Sequence, residues 1–297
     1  MMREFLTLMT ALVLVCAQAA ASITEKDPIP DPQHPPAIAE LTMTSNGNRL
    51  SGLMYLANGP GPHPTIVLLH GFPGNEKNLD IAQSLRRDGF NVLFFHYRGA
   101  WGSEGSYNIT GLDDDVLAVL NFLRQPDNAL RYRVDINALS LLGHSLGGYT
   151  ALAAGSQDKN LSCVAAMSPA NPGVWLMSMH SGGSHAQRLL HYADTLFMLR
   201  DFDGAEMKIQ LRDATMQELD TRLMGPGLVG KEVFLIVGDS DVVTPAAEMF
   251  DPVVVAYRSL EGMTLEHHTI SGDHSFSWSR IELTQRLKQW FGRHCRR

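Results

Sequence analysis

Five stretches of this chain are apolar with almost no polar break: residues 65–70, 91–97, 138–142, 161–167 and 232–238. A strand with one wet face alternates apolar and polar side chains, so runs of this kind fit strands covered on both faces. Between them lie stretches of helical pattern. Asn78 to Asp88 ends at Gly89, and Gly111 to Gln125 opens on Asp113, Asp114 and Asp115, which complement a helix dipole. Further helices are expected after Gly147, around Ala246 to Leu260 and around Ile281 to Phe291, with one more strand from Met263 to Ile270. Strand and helix in alternation predict an α/β fold: a doubly wound, mostly parallel sheet with helices on both faces. Ahead of it, Leu41–Thr44 and Leu50–Leu56 flank Asn46-Gly47, a hairpin signal. The rhythm breaks between Ser168 and Gly230, where a helical lid insertion at about 170–229 is expected over the sheet's carboxyl edge.

A chain of 297 residues, 44% hydrophobic and 19% charged, can bury one large α/β core. A formal net charge of −7 argues against nucleic acid or an anionic membrane surface as the main partner. Met1-Met2-Arg3-Glu4 precedes an apolar run from Phe5 to Ala17 and then small residues through Ser22. This is the layout of a signal peptide over residues 1–21, with Ala17-Gln18-Ala19 or Ala19-Ala20-Ala21 at the cleavage site. The run is short for a permanent membrane span, and Val15 before Cys16 is bulky for lipoprotein processing, so an exported, periplasmic or secreted protein is expected. Residues 22–40 read as a proline-rich extended leader and residues 41–297 as the folded domain. Cys163, in an apolar run, and Cys295, in the tail, are by default two free thiols; a disulfide between them in an oxidising compartment is the alternative, for which the sequence gives no support. No Cys/His spacing suggests zinc, and no metal or cofactor is expected.

The chemistry concentrates at Gly143-His144-Ser145-Leu146-Gly147, between an apolar strand and a helical stretch. A strand, sharp turn and helix with this spacing lifts the serine hydroxyl clear of the sheet, and the flanking glycines let strand and helix approach. A serine hydroxyl needs a base, and the base needs a carboxylate to orient it. Gly238-Asp239-Ser240-Asp241 follows a buried strand, and Asp241, leading into the next helix, is preferred to Asp239, whose other role is a turn residue or cap. Of twelve histidines, His274 lies in a loop after the last strand, which completes the order serine, acid, histidine. The backbone N–H groups of Leu146 and of Phe72, in His70-Gly71-Phe72-Pro73-Gly74, are the expected oxyanion donors, with the Phe72 ring lining an acyl pocket. Arg98 is expected to anchor its own loop.

Together, Gly143–Gly148, His70–Gly74, Gly238–Pro245 and Gly272-Asp273-His274 resemble the α/β-hydrolase superfamily over roughly residues 40 to 295. Tyr97-Arg98-Gly99 and Gly102-Ser103-Glu104-Gly105 are similar to the branch of serine esterases, dienelactone-hydrolase-like proteins and prolyl-oligopeptidase-like domains. The resemblance implies a serine hydrolase acting on an ester or related acyl bond, and the N-terminal pattern adds the expectation that it is exported. Catalytic Ser145, Asp241 and His274 would act without a cofactor on a small-molecule acyl substrate. The Met- and Leu-rich insertion suggests an apolar moiety in that substrate. A small peptidase or amidase with the same triad, and a binding protein that keeps only the fold, are the other readings. Oligomeric state is not legible in the sequence.

Overall fold

Each apolar run forms a strand, and the two faces of each strand feed different cores. The computed structural model describes residues 27–296, so the expected signal peptide at 1–21 lies outside the described residues. The strands are β1 (Ala37–Ser45), β2 (Asn48–Leu56), β3 (His63–Leu69), β4 (Asn91–Phe95), β5 (Val134–His144), β6 (Cys163–Met167), β7 (Glu232–Gly238) and β8 (Thr264–Ile270). They form one sheet in the order β1-β2-β4-β3-β5-β6-β7-β8. The β1–β2 and β2–β4 pairs are antiparallel, and every pair from β4 through β3 to β8 is parallel. The hairpin turns at Asn46 (φ 47°) and Gly47 (φ 77°), the left-handed pair that a two-residue turn requires. β1 begins at Ala37, so the extended leader expected through Glu40 is shorter: residues 37–40 already pair with β2.

Ile66 and Leu68 of β3 enter one core while Val67 and Leu69 enter the other, which explains why the run has no polar break. On the first side pack α1 (Leu79–Arg87) and the last helix; on the second pack α2 (Leu112–Arg124) and α4 (Leu146–Gln157), with α3 (Pro126–Arg131) after α2. Val116, Val119, Leu120 and Leu123 give α2 one apolar stripe, whereas α4 is buried from Leu146 through Gly155 and needs no polar face. The short α3 was not expected from the sequence; Pro126 opens it, where a missing N–H is no loss.

The interval between β6 and β7 is helical, as α5 (Pro172–His180), α6 (Ser184–Ala193), α7 (Gly204–Asp213), α8 (Met216–Leu219) and α9 (Gly225–Leu228). It breaks differently from the sequence reading: Leu199 makes an isolated antiparallel bridge with Ala100 in the loop after β4, flanked by Arg200 N–H to Gly99 O and Trp101 N–H to Met198 O. The Asp203 side chain then caps α7 at Glu206 N–H. The helix expected over 246–260 is a π-helical turn, Ala246–Phe250, running into α10 (Asp251–Arg258), and α11 (Arg280–His294) closes the fold.

The expectation of two free thiols is corrected. Cys163 and Cys295 form a disulfide with their Cα atoms 5.9 Å apart, tying β6 to the end of α11. Cys163 faces the same core as Leu283, Leu287, Trp290 and Phe291 of α11, so the helix that fills that core delivers Cys295 to it. Their separation of 132 residues hides this proximity in the sequence.

Candidate functional site

β3, β5, β7 and β8 are parallel, so their carboxyl ends share one edge of the sheet, where open α/β sheets hold their ligands. The loops leaving those ends carry the residues singled out by sequence. Ser145 stands between β5 and α4 at φ 58°, ψ −123°, a backbone state that a side chain rarely adopts and that costs about 1–3 kcal/mol. Hydrogen bonds hold it there: Ser145 N–H donates to Met167 O (2.9 Å), and Ser145 O accepts from Gly148 N–H (2.9 Å) and Ala170 N–H (3.0 Å). A Cβ at Gly143 would lie 1.9 Å from Gly147 O, and one at Gly147 would lie 2.3 Å from Leu69 O. Both positions therefore require glycine, the physical basis of the motif.

Asp241 and His274 meet from separate loops, with His274 Nδ1–H donating to Asp241 Oδ2 at 2.8 Å. Asp241 also accepts from Val243 N–H (2.9 Å), Thr244 N–H (2.9 Å) and Thr244 Oγ1 (2.8 Å). Burial by itself would raise the Asp241 pKa, but the hydrogen bond and charge of His274, with the Thr244 donors, outweigh it and hold it at about 2. Asp239 is not part of this pair. Its carboxylate accepts from Gly272 N–H (3.1 Å) and from Ser240 Oγ (3.0 Å), which fastens the β7 loop to the β8 loop.

Ser145 and His274 line one cavity of about 170 Å³, together with Gly71, Phe72, Pro73, Glu76 and Tyr192. Gly71 packs against the serine, since a Cβ there would be 2.8 Å from Ser145 Cβ. The Phe72 ring touches Tyr107, Tyr192 and Phe202 at centroid distances of 6.2, 6.0 and 5.8 Å, so the helical interval contributes to the cavity wall. Leu146 is the first residue of α4, where an N–H has no acceptor within its own helix. Arg98 bonds Asp115 and Gly111 O, anchoring the loop after β4 as expected. A larger cavity of about 500 Å³, between α1 and α11, is lined by Asp80, Arg280 and Lys288 and contains none of these groups.

Sequence reasoning passed over His144 and Thr244. His144 Nε2–H donates to the backbone carbonyl of His274 at 2.7 Å, so the residue before the serine fixes the loop bearing the imidazole. Burial, then the neighbouring His274 charge, lowers its pKa to about 3, so it is neutral at pH 7. Its partner lies 130 residues away and is a carbonyl, which no side-chain motif marks. For Thr244 the signal was a hydroxyl three residues after the preferred acid. Among the described residues no group of three or more His, Cys, Asp or Glu side chains is arranged to hold a metal ion, and no helix is long and apolar enough to cross a membrane.

A family model described as the alpha/beta hydrolase fold matches residues 64–205. Esterase EstD of Thermotoga maritima is 28% identical over 156 residues, which cover 48% of this chain and 36% of that protein. The lysophosphatidylserine lipase ABHD12 of Danio rerio is 33% identical over 88 residues, covering 29% of this chain and 21% of its own. The chain thus spans about a third or less of the length of these relatives. Among solved structures, Est1E from Butyrivibrio proteoclasticus superposes with a TM-score of 0.65 at 16% identity, covering 86% of this chain and 98% of its own. The Pyrococcus furiosus esterase Pf2001 gives 0.64 at 18% identity, covering 88% and 93%.

Proposed function

Because the chain belongs to the α/β-hydrolase superfamily, we propose that it is a serine hydrolase of esterase type, with Ser145 as nucleophile. The observation that carries this reading is the Asp241–His274 pair at 2.8 Å, with His274 on the cavity that Ser145 lines. In this reading Ser145 Oγ attacks the acyl carbon while the bare Nε2 of His274 takes its proton. The ring then gives that proton to the leaving alcohol, and water repeats the sequence to free the acid. Asp241 stays ionised and keeps the ring proton on Nδ1, the tautomer that leaves Nε2 free. The N–H groups of Leu146 and Phe72 receive the oxyanion, and no cofactor takes part.

A cavity of about 170 Å³ is smaller than the roughly 300 Å³ at the low end of ligand pockets, so it suits a short acyl group against Phe72 and Tyr192. The helices between β6 and β7 act as its lid. Export is proposed as well, because the Cys163–Cys295 disulfide belongs to an oxidising compartment and agrees with the signal-peptide pattern at 1–21. The test is a panel of short p-nitrophenyl esters and aminoacyl p-nitroanilides on wild type and Ser145→Ala, with fluorophosphonate labelling. Ester turnover and labelling that both vanish in the variant are expected. Turnover that survives Ser145→Ala in purified protein would remove the proposed nucleophile, and preference for the anilides would make the enzyme an amidase.

A further inference from the structure

Beneath the proposed oxyanion loop lies a chain of side chains that the triad does not use. His70 Nδ1 is 2.8 Å from Gly71 O, and His70 Nε2 is 3.3 Å from His96 Nδ1. His96 stacks on Trp101 (centroids 6.0 Å, planes 25° apart), and Trp101 Nε1–H donates to Pro73 O at 2.7 Å. Two loop carbonyls, those of Gly71 and Pro73, are thus held from one side. Gly74, at φ 100°, permits it: a Cβ there would stand 2.7 Å from His70 Nδ1 and 2.8 Å from Trp101 Nε1.

The protons in this chain can be assigned one after another. A carbonyl only accepts, so the bond to Gly71 O puts the His70 proton on Nδ1. Burial lowers the His70 pKa to about 4 and the His96 pKa to about 3, each helped by the Lys77 charge, and His96 also by His70, so both rings are neutral at pH 7. Neutral His70 therefore has a bare Nε2, and His96 Nδ1–H must be its donor. The carbonyl of Gly71 and the N–H of Phe72 belong to one peptide plane and point in opposite directions. Whatever holds that carbonyl aims that N–H.

We propose that His96 is a positioning residue for catalysis: by donating to His70 Nε2 it fixes the His70 tautomer, and through Gly71 O that tautomer aims the Phe72 N–H at the oxyanion. This rests on the serine-hydrolase reading of Ser145. Without the His96 donor, His70 is free to take the Nε2–H tautomer, and a bare Nδ1 facing Gly71 O would repel the carbonyl and turn the peptide. Packing by the imidazole ring does not explain the arrangement, because a ring without N–H would stack on Trp101 equally well.

The experiment compares His96→Phe, which keeps the stacking but has no donor, with His96→Asn, whose amide N–H replaces that of Nδ1. Steady-state ester hydrolysis is read beside ¹⁵N-histidine NMR of the folded proteins. The expected result is a bare Nε2 on His70 in wild type and in His96→Asn, and its protonation in His96→Phe. With that change kcat should fall about 10- to 100-fold at nearly constant KM in His96→Phe, a share of what a lost oxyanion donor costs, and His96→Asn should recover most of it. Wild-type His70 carrying its proton on Nε2 would overturn the proposal even if no variant folds. So would His96→Phe turning over at the wild-type rate while wild type is active. Wild type that neither hydrolyses any ester nor reacts with fluorophosphonate would instead bring down the hydrolase reading, and the positioning role with it.

Discussion

Asp241→Asn separates an orienting carboxylate from a mere loop fastener. The substitution keeps the shape of the side chain, and Oδ1 can still accept Val243 N–H and Thr244 N–H, each now 2.9 Å away. The atom replacing Oδ2 becomes an NH₂ facing His274 Nδ1 and Thr244 Oγ1, both at 2.8 Å. An amide N–H there donates to Nδ1 and drives the ring proton onto Nε2, the nitrogen that must accept from Ser145. Loss of the correct tautomer with the geometry intact lowers kcat about 10⁴-fold in serine triads, about 5.5 kcal/mol of barrier. The assay is hydrolysis of a short p-nitrophenyl ester, with circular dichroism to verify folding. With Asp241 held at about 2, the carboxylate is fully ionised at an assay pH of about 7 to 8, so the comparison there is between a charged and a neutral side chain. Asp239→Asn serves as control, since its carboxylate bonds Gly272 N–H rather than the imidazole, and its kcat should stay within about threefold. Asp241→Asn retaining activity within tenfold of wild type, or Asp239→Asn losing as much, would refute the assignment.

Replacing Cys163 and Cys295 together by alanine opens a loop of 132 residues, for which chain entropy gives about 5 kcal/mol; a urea midpoint shift checks it, and two alkylatable thiols in unreduced wild type would disprove the bond. Gly143→Ala puts a Cβ 1.9 Å from Gly147 O and should abolish soluble expression, whereas Gly292→Ala, in α11 with open space around it, should raise stability by about 0.5–1 kcal/mol in the same urea assay. Burial holds His70 at about 4 and His144 at about 3, below an unfolded value near 6.5. The unfolded chain therefore binds more protons as pH falls below 6.5, and these two residues, with His96 held at about 3 chiefly by burial as well, should together remove up to about 4 kcal/mol of stability per pH unit down to about pH 4. Chemical denaturation at a series of pH values measures that slope, and a flat profile between pH 6.5 and 4.5 would count against buried neutral imidazoles.

What could be read from the sequence shares one property: it is local or obeys a fixed period. The run 65–70 reveals a doubly covered strand because both side-chain registers are apolar, and Ile66 and Val67 do enter opposite cores. Gly143 and Gly147 reveal the turn because each touches backbone so closely that only hydrogen fits. The helical interval could be delimited but not parsed, since its breaks follow a tertiary pairing, Arg200 N–H to Gly99 O, across about a hundred residues. The disulfide failed for a related reason. Cys163 and Cys295 each look ordinary in their own window, and only the packing of α11 on the sheet brings them together. His96 and His144 were hidden differently again. One hydrogen-bonds another histidine and the other a carbonyl 130 residues distant, so neither forms a motif with its neighbours. The proposed nucleophile is marked by the steric rules of the turn it occupies. The residues proposed to position the site are marked by the fold, and for this protein they become visible only when the protons on His70, His96 and His144 are assigned from what each nitrogen touches.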